Sequence, residues 1–202
     1  MEVGPGKSPC CSRRNALYID KFTDNKDGTP EADIVADAWS IPLGDESADF
    51  VFSSHCLEHC LNTLKTLYEW KRLLKKGGVL FLVLPHGDRT FDRYRAKTHL
   101  AHHIDDFNGL GDEPDPTHIE EIRAGWAKYE LSREEVEQYT REWGAAPDDF
   151  EFRVKNGVIH YHVWTQSEMV DVLRYAGFQI LHVAEEVLDK SNSFMIVSRK
   201  TL

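Results

Sequence analysis

Val79 to Pro85 reads Val-Leu-Phe-Leu-Val-Leu-Pro. Six apolar residues in a row, closed by a proline, describe a strand buried on both faces. The segment before it, about Thr63 to Leu74, sets Leu64, Leu67, Tyr68 and Leu74 at helical spacing, with Trp70 less well placed. Lys75-Lys76 in its last turn and Gly77-Gly78 after it read as the helix stop. Working back, Asp49 to Ser53 is a fourth strand, Ile34 to Ala36 a third, Leu17 to Ile19 a second, and Val3 ends a first. Strands that alternate with helices imply a parallel sheet with right-handed crossovers.

In such sheets a ligand binds beyond the carboxyl ends of the strands. Those ends carry a consistent set of groups. Gly4-Pro5-Gly6 follows the first strand, and Asp20 ends the second. A glycine turn lets a ligand approach the backbone, and an acid on the next strand can accept hydrogen bonds from a ribose diol. Asp37 follows the third strand, where a carboxylate can accept from an exocyclic adenine amine, and Trp39 and Ile41 can wall the ring. Ser53-Ser54-His55 ends the fourth strand at the same edge. A dinucleotide fingerprint is missing, because Pro9 stands at the third glycine position and only ten residues separate Gly6 from Leu17. The first helix is therefore stunted, and a pyrophosphate loses the helix N-terminus that would hold it. No phosphate-binding loop follows either. A ligand with base and ribose but no phosphate fits this edge better.

The length of 202 residues suits one domain, 1–202. A net charge of −10 argues against a general nucleic-acid binder. No segment approaches the roughly 18 apolar residues of a membrane span, and the first residues lack an apolar signal core. Four cysteines in two close pairs, Cys10 with Cys11 and Cys56 with Cys60, suggest thiols and a cytoplasmic protein. The oligomeric state is open.

After Pro85 the pattern changes. Residues 87–157 are too long for a plain strand-to-helix connection and carry three interrupted helical stretches. By position they form a helical cap or lid over the ligand edge. Thr117 with Glu120 and Ser132 with Glu135 fit capping boxes, as does Thr165 with Glu168 ahead of a helix ending at Gly177. Phe178 to Ala184 and Ser193 to Ser198 read as two more strands.

Residues 2 to 85 resemble the core of a class I S-adenosylmethionine-dependent methyltransferase, of the broad type 11 group. Glu2-Val3-Gly4-Pro5-Gly6 is similar to its first motif, and Tyr18-Ile19-Asp20 to the strand whose acid holds the ribose. Ala36-Asp37-Ala38, then Ile41-Pro42-Leu43, resembles the adenine loop. Ala48 to His59 resembles the fourth-strand motif, and Leu73 to Leu80 the approach to the fifth strand. The resemblance implies an α/β, Rossmann-like fold with a mostly parallel seven-stranded sheet flanked by helices, the seventh strand antiparallel. It implies S-adenosylmethionine as cofactor, held by Glu2, Gly4, Pro5, Gly6, Asp20, Lys21, Asp37, Ala38, Trp39, Ser53, Ser54 and His55. Lys7-Ser8-Pro9 departs from the small residue and full helix usual after the first motif.

Methyl transfer from a sulfonium is an in-line displacement with an activated leaving group, so positioning supplies most of the rate. A base is needed only if the nucleophile must lose a proton. Seven of the ten histidines lie between His86 and His162. His86, directly after the fifth strand, and His162, in His160-Tyr161-His162, are the candidate catalytic residues. No metal is expected. His99 with His103 and Asp106, and His118 with Glu121, have ligand spacing, but no single cluster of them supplies four ligands. The Cys56/Cys60 pair interleaved with His55 and His59 looks like a site on paper, but it belongs to a Leu-Glu-His pattern whose helical context serves structure. Trp126, Tyr129, Tyr139, Trp143 and Phe150 line an acceptor pocket or pack the cap's own core. Arg89, Arg93 and Arg95 meet an anionic acceptor or pair with neighbouring acids. The expected activity is methyl transfer to a small-molecule or glycan-type acceptor. The alternative is a non-catalytic binding protein of the same fold, and a nicotinamide-dependent reductase is a third reading.

Overall fold

The computed structural model describes residues 1–22, 31–109, 116–128, 132–143, 149, 152–153, 159–187 and 191–201, without the side chains of 116, 117, 135, 139, 142 and 143. Its strands are β1 (Glu2–Val3), β2 (Tyr18–Asp20), β3 (Ile34–Val35), β4 (Ala48–Ser54), β5 (Leu74–Pro85), β6 (Phe178–Ala184) and β7 (Ser193–Lys200). Its helices are α1 (Thr63–Leu73), α2 (Leu100–Gly109), α3 (Pro116–Trp126), α4 (Arg133–Trp143) and α5 (Gln166–Tyr175). Among the described residues no helix is long and apolar enough to cross a membrane.

The seven strands form one sheet in the order β3-β2-β1-β4-β5-β7-β6. The first five are parallel, and β7 runs antiparallel to both β5 and β6. This is the Rossmann-like arrangement the sequence implied. β1 has only two residues, yet it pairs on both edges: Glu2 faces Tyr18 on one side and Phe52 on the other. The Met1 amine extends the ladder by donating to the Phe50 carbonyl at 2.9 Å.

β5 starts earlier than Val79. α1 stops at Leu73, and Leu74 already pairs with Ala48. Leu74 is fully buried, so the chain turns into the sheet as soon as its side chain reaches the core. Lys75 lies in the strand and reaches Asp49 at 2.8 Å instead of capping the helix. Gly77, at φ +74°, absorbs the register shift between Ala48 and Phe50.

α1 is capped by Asn62, whose side chain accepts from the Lys65 N–H. It buries Leu64, Leu67, Trp70 and Leu73 in the main core, opposite the sheet residues Val3, Ile19, Val51, Leu80 and Leu82. α5 carries the expected Thr165–Glu168 capping box and ends at Gly177, where φ is +81°. The box expected at Thr117 is displaced: α3 begins with Pro116, whose missing N–H suits the first helical position.

Between β5 and α5 the chain is helical. α2 packs against α1 and α5, and α3 against a 3-10 turn at Phe91–Tyr94. Ile122, Trp126, Ile159 and Tyr161 form a second small core, with Phe91 partly buried against it. Arg95, 5% exposed, holds this region together. It donates to Asp92 at 2.9 Å and to the carbonyls of His160 and Tyr161 at 2.7 and 2.9 Å.

Trp70 is the side chain that fixes α1 to the sheet, and its indole N–H donates to the Ala38 carbonyl at 2.8 Å. Trp70→Ala is expected to lower the unfolding free energy by about 3–5 kcal/mol. Urea denaturation measures this, and a loss below about 1 kcal/mol would contradict the anchoring role.

Candidate functional site

The carboxyl ends of β1 to β4 bring Gly4, Asp20, Asp37 and His55 to one edge of the sheet. Gly4 sits at φ +68°, and a Cβ there would meet the Cβ and Sγ of Cys56 at 2.7 Å. Only glycine lets the turn lie this close to the segment after β4. Pro5 is buried, and Gly6, at φ +51°, opens onto free space. Glu2 is 1% exposed, and its two carboxylate oxygens accept from the N–H groups of Cys10 and Cys11, both at 2.8 Å. The acid therefore shapes the loop after the glycines, as a helix would have done; residues 7–17 contain only turns and bends.

Asp20 is partly exposed. One of its oxygens accepts from the Phe22 N–H at 3.1 Å, and the other has no partner among the described residues. Lys21 and Asp37 form an exposed ion pair at 3.2 Å. The next loop is fastened to α1: besides the Trp70 bond to Ala38, Arg72 donates to the Ile41 and Leu43 carbonyls at 3.2 and 2.9 Å. Lys65 lies 3.8 Å over one face of Trp39. Ser53 is buried, and its hydroxyl donates to the Val3 carbonyl at 3.1 Å, so it serves the sheet rather than the edge. Ser54 is partly exposed. His55 occupies the left-handed region at φ +53°, where strain points to an imposed position. Its Nε2 meets the Ser193 hydroxyl at 2.9 Å.

The two histidines singled out as catalytic have different surroundings. His86 bridges to Trp164 and is partly exposed. Its Nδ1 accepts from the Asp88 N–H at 3.1 Å, which places the proton on Nε2, 3.2 Å from the Gln166 carbonyl oxygen. Burial, then the Arg89 cation, lowers its pKa from the ordinary value, so the ring is neutral at pH 7. His162 is 1% exposed. Its Nε2 lies 2.9 Å from Asp106 and 3.2 Å from His118, and its Nδ1 lies 3.2 Å from the Thr63 hydroxyl. A base must reach its substrate, and these contacts leave His162 no opening.

Spacing also misjudged which histidines meet. His99 precedes α2 and is exposed, so the His99/His103 face does not form. His102 and Asp106 share that helix face instead, joined by His118 and His162. The same i, i+4 rule could have found them, but only the fold brings in the other two. Glu121 faces Arg95 at 3.6 Å rather than His118. Arg95 thus pairs with acids, and Arg89 approaches Glu186 at 3.4 Å. Trp126 packs in the second small core against Phe91. Tyr129 and Phe150, and the side chains of Tyr139 and Trp143, lie outside the described residues.

Glu58 is fully buried beneath His55 and His59. Burial would raise its carboxyl, but His55, His59 and His160 outweigh that and hold it below its usual value. His59 gives its Nδ1 proton to the Ile159 carbonyl at 2.9 Å. Burial is the largest influence on its ring and depresses its pKa from 6.5. As pH falls below 6.5, the unfolded chain takes up this proton before the folded one does. The stability His59 supplies is present above that pH and is lost below it. His59→Asn keeps a donor and removes the titration. It is expected to flatten the fall in urea midpoint as pH drops below about 6.5; an unchanged slope would assign the fall to other groups.

A family model described as a methyltransferase domain matches residues 16–82. Among curated proteins, the malonyl-[acyl-carrier protein] O-methyltransferase of Marinomonas sp. (strain MWYL1) is 44% identical over 55 residues. That match covers 27% of this chain and 20% of the relative, so the chain spans well under two thirds of the protein it matches. Among solved structures, the S-adenosylmethionine dependent methyltransferase of Mesorhizobium loti aligns with a TM-score of 0.54 at 15% identity, over 98% of this chain and 89% of that one. The SAM-dependent methyltransferase of Methanosarcina mazei aligns at 0.53 and 17%, over 100% and 91%. At these identities the likeness is one of fold. Residues 16–82 thus match a methyltransferase-domain family, and the whole chain has the Rossmann-like fold of the S-adenosylmethionine-dependent methyltransferases it aligns with.

Proposed function

We propose that the chain binds S-adenosylmethionine across the tips of β1 to β4 and directs methyl transfer to a small-molecule or glycan-type acceptor. The observation that carries this reading is Asp20. Its carboxylate stands at the end of β2, beside the glycine turn of β1, with one oxygen unpartnered among the described residues. That oxygen suits a ribose diol. Gly6 offers open backbone, and Asp37 with Ala38 and Trp39 offers an acceptor and an aromatic wall for adenine. Glu2 acts through the loop it holds, and Ser53 through the sheet. When bound, the cofactor supplies a methyl group already activated by positive sulfur.

The protein's part is alignment and exclusion of water. Residues 87–157, which include helices α2 to α4, serve as the cap over the acceptor. His86 is the base where the acceptor must lose a proton. It takes that proton on Nδ1, from which the Asp88 N–H withdraws. The curated relative's acceptor does not transfer to this chain, because that match covers only 55 residues, 27% of the chain.

A second reading, a non-catalytic protein of the same fold, is favoured by one observation. Residues 7–17 form no helix, so the loop after the glycines lacks the helix N-terminus usual at this edge and takes two of its backbone bonds from Glu2.

Asp20→Ala is expected to raise the dissociation constant for S-adenosylhomocysteine by roughly 10- to 100-fold in calorimetry. An unchanged constant would remove Asp20 from the site, and no binding by the unmodified chain at millimolar ligand would favour the second reading. Once an acceptor is in hand, His86→Ala should cut turnover by about 10²-fold or more while leaving that constant within a few-fold. Equal losses in both would make His86 structural.

A further inference from the structure

α2, α3 and the segment leading into α5 carry a second group of side chains that methyl transfer does not use. His102 and Asp106 stand one turn apart on α2. His118 comes from the start of α3, and His162 from the extended segment before α5. One ligand-type atom from each of the four lies within 4.8 Å of every other. His118 Nε2 is 3.0 Å from His102 Nε2 and 3.2 Å from His162 Nε2. Asp106 Oδ2 is 2.9 Å from His162, 3.4 Å from His102 and 3.8 Å from His118.

Those separations have a geometric meaning. A tetrahedral zinc ion with nitrogen ligands at 2.0–2.1 Å sets its ligand atoms about 3.3 Å apart. The five separations bracket that edge, and all three rings present the same atom, Nε2, toward one point. Hydrogen bonding asks for pairs, one N–H to one lone pair. Four atoms that each approach the other three describe ligands around a shared centre instead.

The surroundings agree. Asp106 is 5% exposed, and among the described residues its charge meets only these histidines, with no Lys or Arg. A buried carboxylate needs a cation nearby. The rings are also braced from behind. His162 Nδ1 faces the Thr63 hydroxyl, and Trp164 stacks on its ring. Trp164 donates to His103 at 2.8 Å, and Asn62 donates to the Asp106 carbonyl at 3.1 Å. Such outer contacts are what orient metal ligands. His118 and His162 are almost fully buried, whereas the His102 side chain is 43% exposed and leaves an entry path.

We propose that His102, Asp106, His118 and His162 bind one divalent transition-metal ion, zinc by its three-nitrogen, one-oxygen donor set, which fastens α2 and α3 to the segment before α5. All four positions are filled by protein, so the site is structural rather than catalytic.

The test uses the full chain, stripped with a chelator and titrated with zinc chloride, with bound metal counted by mass spectrometry. One equivalent per chain and a rise in melting temperature are expected. Cobalt(II) should give the visible bands of a tetrahedral site without thiolate charge-transfer absorption, which separates this site from Cys56 and Cys60. His102→Ala, at the exposed position, should weaken zinc binding by about 100-fold or more, on the upper scale known for lost metal contacts. Asp106→Asn tests the buried partner. Should Asp106→Asn fail to fold, His102→Ala and the cobalt spectrum still decide. No bound zinc and no thermal shift in the unmodified chain would overturn the proposal, as would stoichiometric binding that survives His102→Ala unchanged. The readout does not involve S-adenosylmethionine.

Discussion

The double pairing of β5 is the constraint on which the rest of this molecule depends. From Val79 to Val83 the strand bonds to β4 on one edge, and from Val79 to Pro85 to β7 on the other. Leu80, Leu82 and Leu84 are buried in the core with α1, and on the other face Val83 is buried while Val79 and Phe81 are half-buried. A strand so enclosed has one register, because a slip by one residue would unpair its backbone and displace every packed side chain. That register places Pro85 and His86 at the edge where β1 to β4 also end. It also brings β7, and with it Ser193, against His55.

The N-terminal end of the sheet shows a different solution. β1 is two residues long, and the loop after it lacks a helix. A turn without a helix must satisfy its N–H groups by other means. Glu2 does so from inside the fold, accepting from Cys10 and Cys11 while buried itself. Tyr18 adds a hydroxyl bond to the Cys11 carbonyl. The glycine turn is thus held from both sides, by a carboxylate below and by the close approach of Cys56 above.

The helices after β5 rest less on apolar area than on buried polar contacts. Arg95 ties two carbonyls and Asp92 together, His160 adds its own 2.6 Å contact to Asp92, and four further ligand-type side chains converge beside Thr63. Both networks join the inserted helices to the segment from Ile159 to Trp164. Buried polar groups tolerate few alternative arrangements, because each unpaired group is costly in a low dielectric. The networks therefore fix how these helices sit, where the small apolar core alone would leave several packings close in energy.

The order of strands and helices through Pro85, the apolar face of α1 and the acids at the strand ends were legible in the sequence. They are set by local periodicity, by turn chemistry and by alternation, which neighbouring residues specify among themselves. The start of β5 at Leu74 was not legible, since burial against Ala48 overrode the helix-stop signal of Lys75 to Gly78. Nor could spacing reveal that Glu2 and Ser53 face inward, or that His162 is enclosed. The sequence determined which chemistry lies at the sheet edge. Only the tertiary structure decided which histidines meet, because His102, His118 and His162 come from segments far apart in the chain, and their convergence follows from packing rather than from period.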